Sequence, residues 1–310
     1  MSTPLKTPDP HHVPLLTAAT LPDYIKQRAA SRTGLSVEER RAVVDANALS
    51  FPTDATIEIA AVEAGGVPCE WQISPDADAR KCLLYFHGGG YVFGSPTSHR
   101  HLTSHLAQRA NTRCLSVDYR LAPENPFPAA VEDAVTAYRW LLDEGVSAQD
   151  IALGGDSAGG GLAVALMLQA REDGLPLPGA AVLFCPWTDM ACNRPSYTSR
   201  ASIDPSITQA GILESANAYM NGAPADTPLA SPVYADLSGL PPCQVQGGER
   251  EVLVDDARDL VTSMRRSGTT AELEVWDGMV HVWHALHPVL EEGRQAVQRA
   301  ADFLRTQMST

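Results

Sequence analysis

The six cysteines of this 310-residue chain, at positions 69, 82, 114, 185, 192 and 243, are scattered and include no C-x-x-C pair. Several lie in apolar runs, where a reduced cysteine behaves as a small core residue. Their distribution argues against a disulfide-built exterior and points to a reducing cytoplasm. No apolar run approaches the roughly 18 residues needed to span a bilayer. The first ten residues lack a basic start followed by an apolar block, so no signal peptide is expected. Positive charge is also short: 23 Lys and Arg stand against 37 Asp and Glu, a net charge of −14. Such a surface repels phosphate backbones and anionic membranes, so neither nucleic acid nor membrane is an expected partner. Internal repeats and low-complexity tracts are missing too.

What is present suits one large fold. Hydrophobic residues make up 44% and charged residues 19%, enough for a full core, and large α/β folds reach this length as one unit. Residues 1 to about 20, with His11-His12, read as a loosely held arm whose histidines are solvated. Two helices are expected next, over Tyr24 to Ala30 and Ser36 to Ala48, the second opened by a capping Ser with Glu three residues on. Alternation then marks strands at Thr56 to Val62 and Pro68 to Ile73, joined through Gly65-Gly66 as a hairpin. Further strands are expected at Cys82 to Phe86, Cys114 to Asp118, Ile151 to Leu153, Ala180 to Phe184, Pro242 to Gln246 and Ala271 to Trp276. Helices over Ser98 to Ala110, Pro128 to Asp143, Leu162 to Gln169, Asp255 to Arg266 and Glu291 to Met308 separate them. The alternation predicts an α/β fold with a mostly parallel sheet flanked by helices, begun by an antiparallel hairpin. Between Trp187 and Leu240 no strand is legible and only Ser206 to Tyr219 looks helical, which reads as an insertion folding over the site with the N-terminal helices.

Four signals carry chemistry. Gly155-Asp156-Ser157-Ala158-Gly159 fits the G-x-S-x-G nucleophile elbow, between an apolar strand and a strong helix former. A serine needs a base to take its proton and must stand clear of the sheet to meet it. His87-Gly88-Gly89-Gly90 follows the buried strand ending at Phe86. Its glycines let backbone N–H groups approach a carbonyl oxygen that gains negative charge; losing one such donor typically costs about 3–4 kcal/mol. The expected oxyanion donors are Gly88, Gly89 and Ala158, with the His87 ring propping the loop. After a later strand, Glu249, Glu251, Asp255 and Asp256 offer a carboxylate to orient the base. Asp255 and Asp256 sit where acids offset a helix dipole, so Glu251, in the loop before them, is preferred. His281 follows the last strand through a glycine-bearing loop and completes the order Ser, acid, His. His284 and His287, on a following helix, are expected at the surface. His99, His101 and His105 hold an i, i+4 pair, but no acid or cysteine nearby completes a metal site, so a polar helix face is expected and no metal.

His87-Gly-Gly-Gly90, Asp118-Tyr-Arg-Leu-Ala-Pro-Glu124, Phe127-Pro-Ala-Ala130, Gly155-Asp-Ser-Ala-Gly-Gly160, Glu251-Val-Leu253 and Gly278-Met-Val-His281 together resemble the hormone-sensitive lipase-like family of microbial esterases, from about residue 50 onward. The family more often carries Asp where Glu251 stands. The resemblance implies an α/β-hydrolase fold with a helical cap: residues 1–48 and 187–240 as cap, residues 49–186 and 241–310 as core. It implies Ser157 as nucleophile, His281 as base and Glu251 as acid, without a cofactor, and a homodimer through the edge strand near Glu272 to Val275. The function expected is hydrolysis of short- to medium-chain carboxylic esters, in a pocket lined by Trp187, Met190, Ile203, Ile207, Leu213, Tyr219, Val282 and Trp283. A lactone hydrolase or an amidase on the same three residues, and a non-catalytic small-molecule receptor, are the alternatives.

Overall fold

The computed structural model describes residues 14–32 and 34–308. Two helices, α1 (Leu21–Ala30) and α2 (Val37–Ala48), precede any strand. The second starts at a full capping box: the Glu39 N–H donates to Ser36 Oγ at 3.2 Å and the Ser36 N–H donates to Glu39 Oε2 at 2.8 Å. Strands β1 (Glu58–Ala64) and β2 (Val67–Ile73) form the hairpin, with Gly65 and Gly66 both at positive φ in the turn. The alternating part follows as β3 (Asp78–Phe86), α3 (Pro96–Ala110), β4 (Thr112–Val117), α4 (Ala129–Asp143), β5 (Ile151–Asp156), α5 (Ala158–Glu172) and β6 (Ala180–Phe184). Between β6 and the next strand lie α6 (Pro195–Ser199) and α7 (Gln209–Met220), and no strand is found among the described residues there. The chain closes with β7 (Cys243–Gly248), α8 (Val254–Arg266), β8 (Ala271–Trp276) and α9 (Glu291–Gln307).

The eight strands form one sheet in the order β1-β2-β4-β3-β5-β6-β7-β8. From β4 to β8 every neighbouring pair is parallel, while β2 runs antiparallel to both β1 and β4. The register aligns the carboxyl ends: Phe86 faces Val117 and Gly155, Asp156 faces Phe184, and Gly248 faces Trp276. In open parallel sheets that edge is where ligands bind.

Successive strand residues feed opposite layers. Leu84, Phe86, Leu115, Val117 and Leu153 pack toward α4, α5 and α8, whereas Leu83, Tyr85, Cys114, Ala152 and Phe184 pack toward α3 and α9. Helix α5 is buried nearly all round, as its uniformly apolar sequence requires. All six cysteines are buried free thiols. Among the described residues, no helix is long and apolar enough to cross a membrane.

Three local expectations need correction. The arm is not loose as far as residue 20: Leu16 is buried among Leu21, Phe51, Met279 and Trp283, and its N–H donates to Val289 O at 2.8 Å. His11 and His12 lie outside the described residues. The helix face carrying His99, His101 and His105 is not a solvated one, since α3 packs against α2 and α9. His101 is buried and His105 stacks on His287 at 4.2 Å. His284 and His287 are likewise buried, not at the surface; His284 Nε2 meets Gln246 Oε1 at 2.8 Å and its ring stacks on Phe184. In each case a partner distant in sequence replaces water.

Candidate active site

Ser157 joins β5 to α5 with φ 53° and ψ −121°, a strained conformation for a non-glycine residue. Its N–H donates to Phe184 O at 2.8 Å, which fixes the turn to the end of β6. Tightness there dictates glycine nearby: a Cβ on Gly159 would run into the Phe86 and His87 carbonyl oxygens. Ala158 opens α5, where an N–H has no carbonyl within the helix to bond.

His281 stands in the loop after β8, tied down on both sides. The Arg250 N–H donates to Met279 O at 2.9 Å, and the Val282 N–H donates to Cys185 Sγ at 3.3 Å, with Val282 itself left-handed at φ 49°. His281 Nδ1 lies 2.5 Å from Glu251 Oε2, and Glu251 Oε1 accepts from the Gly248 N–H at 2.7 Å. A carboxylate only accepts, so Nδ1 carries the proton and Nε2 is left with a lone pair. Burial alone would lower the His281 pKa; Glu251, with the charges of Asp204 and Asp156, outweighs it and holds the imidazole above the ordinary histidine value.

The loop of Gly88 to Gly90 is pinned from below by Asp156. Its Oδ1 accepts from Tyr85 OH at 2.9 Å and from the Gly88 N–H at 3.1 Å, and its Oδ2 lies 3.3 Å from His99 Nε2. Burial would raise the Asp156 pKa, but His99 and Tyr85 bring it below the usual carboxylate range; His99 is raised by the same pairing against its own burial. The Gly88 N–H, expected as an oxyanion donor, is thus already committed. Among the described residues the N–H groups of Gly89 and Gly90 meet no protein acceptor. At Gly89 φ is 124°, and a Cβ would collide with Phe93 O. The His87 ring bonds Gly88 O at 2.8 Å and stacks on Tyr119; burial, with His99 nearby, pushes its pKa down to about 3, so it stays neutral.

Ser157, His281 and Gly88 to Gly90 border one cavity of about 650 Å³. Its walls also include Ala29, Arg32 and Arg40 from the N-terminal helical region, and Ile207, Ile212 and Ser215 from the insertion. Of the apolar set expected to line it, Trp187, Ile207 and Val282 do. Met190, Ile203, Leu213, Tyr219 and Trp283 stand outside that wall: Met190, Tyr219 and Trp283 are core residues, Tyr219 stacking on Tyr91 at 3.7 Å. Sequence reasoning missed Asp156 as an anchor, His99, Gly90, Phe93 and Arg32. Asp156 lies inside the elbow motif and Gly90 inside the His87–Gly90 run, and His99 stands out only as a possible ligand; Phe93 and Arg32 carry no signal.

Cys185 Sγ, a Glu251 oxygen and a His281 ring nitrogen lie within 4.8 Å of one another, a spacing that a metal would accept. Burial, then the charge of Glu251, pushes the Cys185 thiol well above its ordinary value. A protonated thiol is a poor ligand, and Glu251 and His281 already satisfy each other, so the trio suits a hydrogen-bonded cluster better than a metal centre.

A sheet of this order, with a strained serine at a strand–helix turn and a carboxylate-held histidine on the same edge, defines a hydrolase of the α/β-hydrolase class. The model of the alpha/beta hydrolase fold family matches residues 83–285, and the chain belongs to that family. Within it, the chain is a carboxylic ester hydrolase of the bacterial hormone-sensitive lipase type. It is 46% identical over 270 residues to an acetyl-hydrolase of Streptomyces hygroscopicus, covering 87% of this chain and 90% of that one. It is 34% identical over 235 residues to an ethyl acetate hydrolase of Pseudomonas putida, 73% of each. A crystal structure of an esterase from the bacterial hormone-sensitive lipase family superposes with a TM-score of 0.92 at 46% identity, covering 94% of this chain and 98% of that one.

Proposed function

We propose that the protein hydrolyses short- to medium-chain carboxylic esters with Ser157 as nucleophile, His281 as general base and Glu251 as the acid that orients it. The observation that carries this reading is the 2.5 Å contact between His281 Nδ1 and the buried Glu251, on a histidine sharing a cavity with the strained Ser157. Nε2 of His281 takes the Ser157 hydroxyl proton as Oγ attacks the ester carbonyl. The N–H groups of Gly89, Gly90 and Ala158 stabilise the resulting oxyanion, Gly88 being held by Asp156. His281 then gives its proton to the departing alkoxide, and an acyl-enzyme remains. Water, deprotonated by His281, attacks that acyl group, and the acid leaves as Ser157 regains its proton.

A cavity of about 650 Å³ favours compact acyl chains over long-chain fats, and a relative named for ethyl acetate agrees in size. Residues 1–48 and 187–240 act as a cap, a role supported by their shared place in the cavity wall. Strand β8 ends the sheet, and Glu272 to Val275 on it serve as a homodimer edge; a mass of one chain by light scattering would overturn that point.

The test is hydrolysis of 4-nitrophenyl esters from acetate to palmitate by the wild type and Ser157→Ala. Fast turnover of the short esters is expected, falling about 10⁴- to 10⁶-fold in the variant. A folded wild type that cleaves none of them would overturn the reading.

A further inference from the structure

A second cavity of about 230 Å³ opens beside the first and shares seven wall residues with it, Arg32, His99, His281 and Val282 among them. The oxyanion-loop glycines do not border it. It borders His281, the general base of the reading above, but neither Ser157 nor that loop, so it can take a part of the substrate other than the reacting carbonyl. Its charge is unusual for this chain. Arg28 and Arg32, both half-buried, stand in its wall, and neither pairs with a carboxylate among the described residues. The Arg28 guanidinium donates to Tyr24 OH at 2.8 Å and to Asn47 O at 3.1 Å. That of Arg32 lies over the Phe93 ring at 5.9 Å. Many other arginines find acids, as Arg41 does with Glu124 and Arg100 with Glu70; Arg171 and Arg265, which bond backbone carbonyls instead, border neither of these two cavities.

Two like charges held four residues apart, without counter-charge, repel each other. Burial, followed by the fields of Arg28 and Arg40, accordingly lowers the Arg32 pKa. The nearest relief is an anion in the cavity they share, and guanidinium forks match carboxylate and phosphate oxygens.

We propose that Arg28 and Arg32 form an anion subsite, selecting esters whose alcohol part ends in a carboxylate or a phosphate. This rests on the esterase reading above and adds the substrate class. The ester oxygen is set at His281, and the alcohol part runs into the smaller cavity until its anionic end meets the two arginines. The anion is recognised and does not react.

The experiment compares acetate release from 4-acetoxybutanoate and from 2-acetoxyethyl phosphate with release from the uncharged 4-acetoxybutanamide. The wild type is expected to favour at least one anionic ester by about tenfold in kcat/KM, mostly through KM. In the Arg28→Met/Arg32→Met double variant the anion-to-amide ratio should fall to near one. A disturbed cap would slow all three substrates and leave that ratio alone, so the ratio separates recognition from misfolding. A ratio at or below one in a wild type that cleaves 4-nitrophenyl acetate overturns the subsite and leaves the esterase standing. A preference that survives the double variant also overturns it. Failure on every ester, 4-nitrophenyl acetate included, overturns the esterase reading itself.

Discussion

The floor of the cavity and the N-terminal helices at its wall are held in place by different means. On the floor every residue of β5 is buried, α5 is buried for most of its length, and backbone carbonyls crowd the glycines around Ser157. In the N-terminal part of the proposed cap, α1 buries only Leu21 and α2 only Ala48, whereas α7 of the insertion buries Ile212, Ala216, Tyr219 and Met220. The proposed mechanism needs a serine, a histidine and the oxyanion donors in register to within a fraction of an ångström, and close packing serves that need. Helices α1 and α2 are held instead by a capping box and by arginines that reach across to the core, as Arg41 does to Val92 O and Ala122 O, which suits the cap proposed above. On the function proposed above, the first region carries the chemistry and the second the choice of substrate.

The largest expected effect falls on the floor. In Glu251→Gln, an amide oxygen can still accept from the Gly248 N–H, which turns its NH₂ toward His281 Nδ1. That favours the tautomer with the proton on Nε2, the wrong one for taking the serine proton, and kcat should fall about 10³- to 10⁴-fold. The pH profile carries a second sign. In the wild type His281 is held above the ordinary histidine value, and only the neutral ring is a base, so kcat/KM should decline as pH falls through a midpoint above that value. Without the carboxylate, burial dominates and the midpoint should move to lower pH. A variant of unchanged midpoint would remove Glu251 from its orienting role.

Next in size is Gly159→Ala. The added methyl would run into the Phe86 and His87 carbonyl oxygens, which belong to β3 and to the oxyanion loop. Relief requires moving the elbow or the loop, at a cost of about 3 kcal/mol in urea unfolding, with a drop in kcat as the donors shift. A loss under about 1 kcal/mol would mean that the floor yields more easily than its packing implies.

The floor was also the more legible region. Cys82 to Phe86 reads as a central strand because it is apolar on both faces, and Ala180 to Phe184 and Ala271 to Trp276 end where the structure ends them. Ser36 announces α2 because a capping box is a local device. What escaped depends on contacts between distant segments. An apolar Tyr219 or Met190 looks the same in sequence whether it faces a cavity or, as here, the core. His99, His284 and His287 look solvated until Asp156, Gln246 and His101 are brought to them. Gly88 and Gly90 are interchangeable as residue types; only the Asp156 carboxylate, reaching one N–H, tells them apart. Arg28 and Arg32 carry no motif at all; what sets them apart is their shared place, without an ion pair, in the wall of a cavity beside His281.

The smallest expected effect tests how independent the cap is. Ser36→Ala removes the acceptor for the Glu39 N–H and should cost α2 about 1 kcal/mol. Because α2 buries so little, that loss should appear as local opening. Amide exchange in Val37–Ala48 should quicken about fivefold, while the main thermal transition stays where it was. Ser95, which caps α3 under the core and also donates to Asp45 Oδ1 at 2.5 Å, offers the contrast. Its replacement by Ala should move the main transition, since α3 packs against the sheet and α9. If Ser36→Ala instead shifts the main transition by the full amount, α2 unfolds together with the sheet. The cap would then be as fixed as the floor, and substrate choice would have to come from the shape of a rigid cavity, not from a cap able to open on its own.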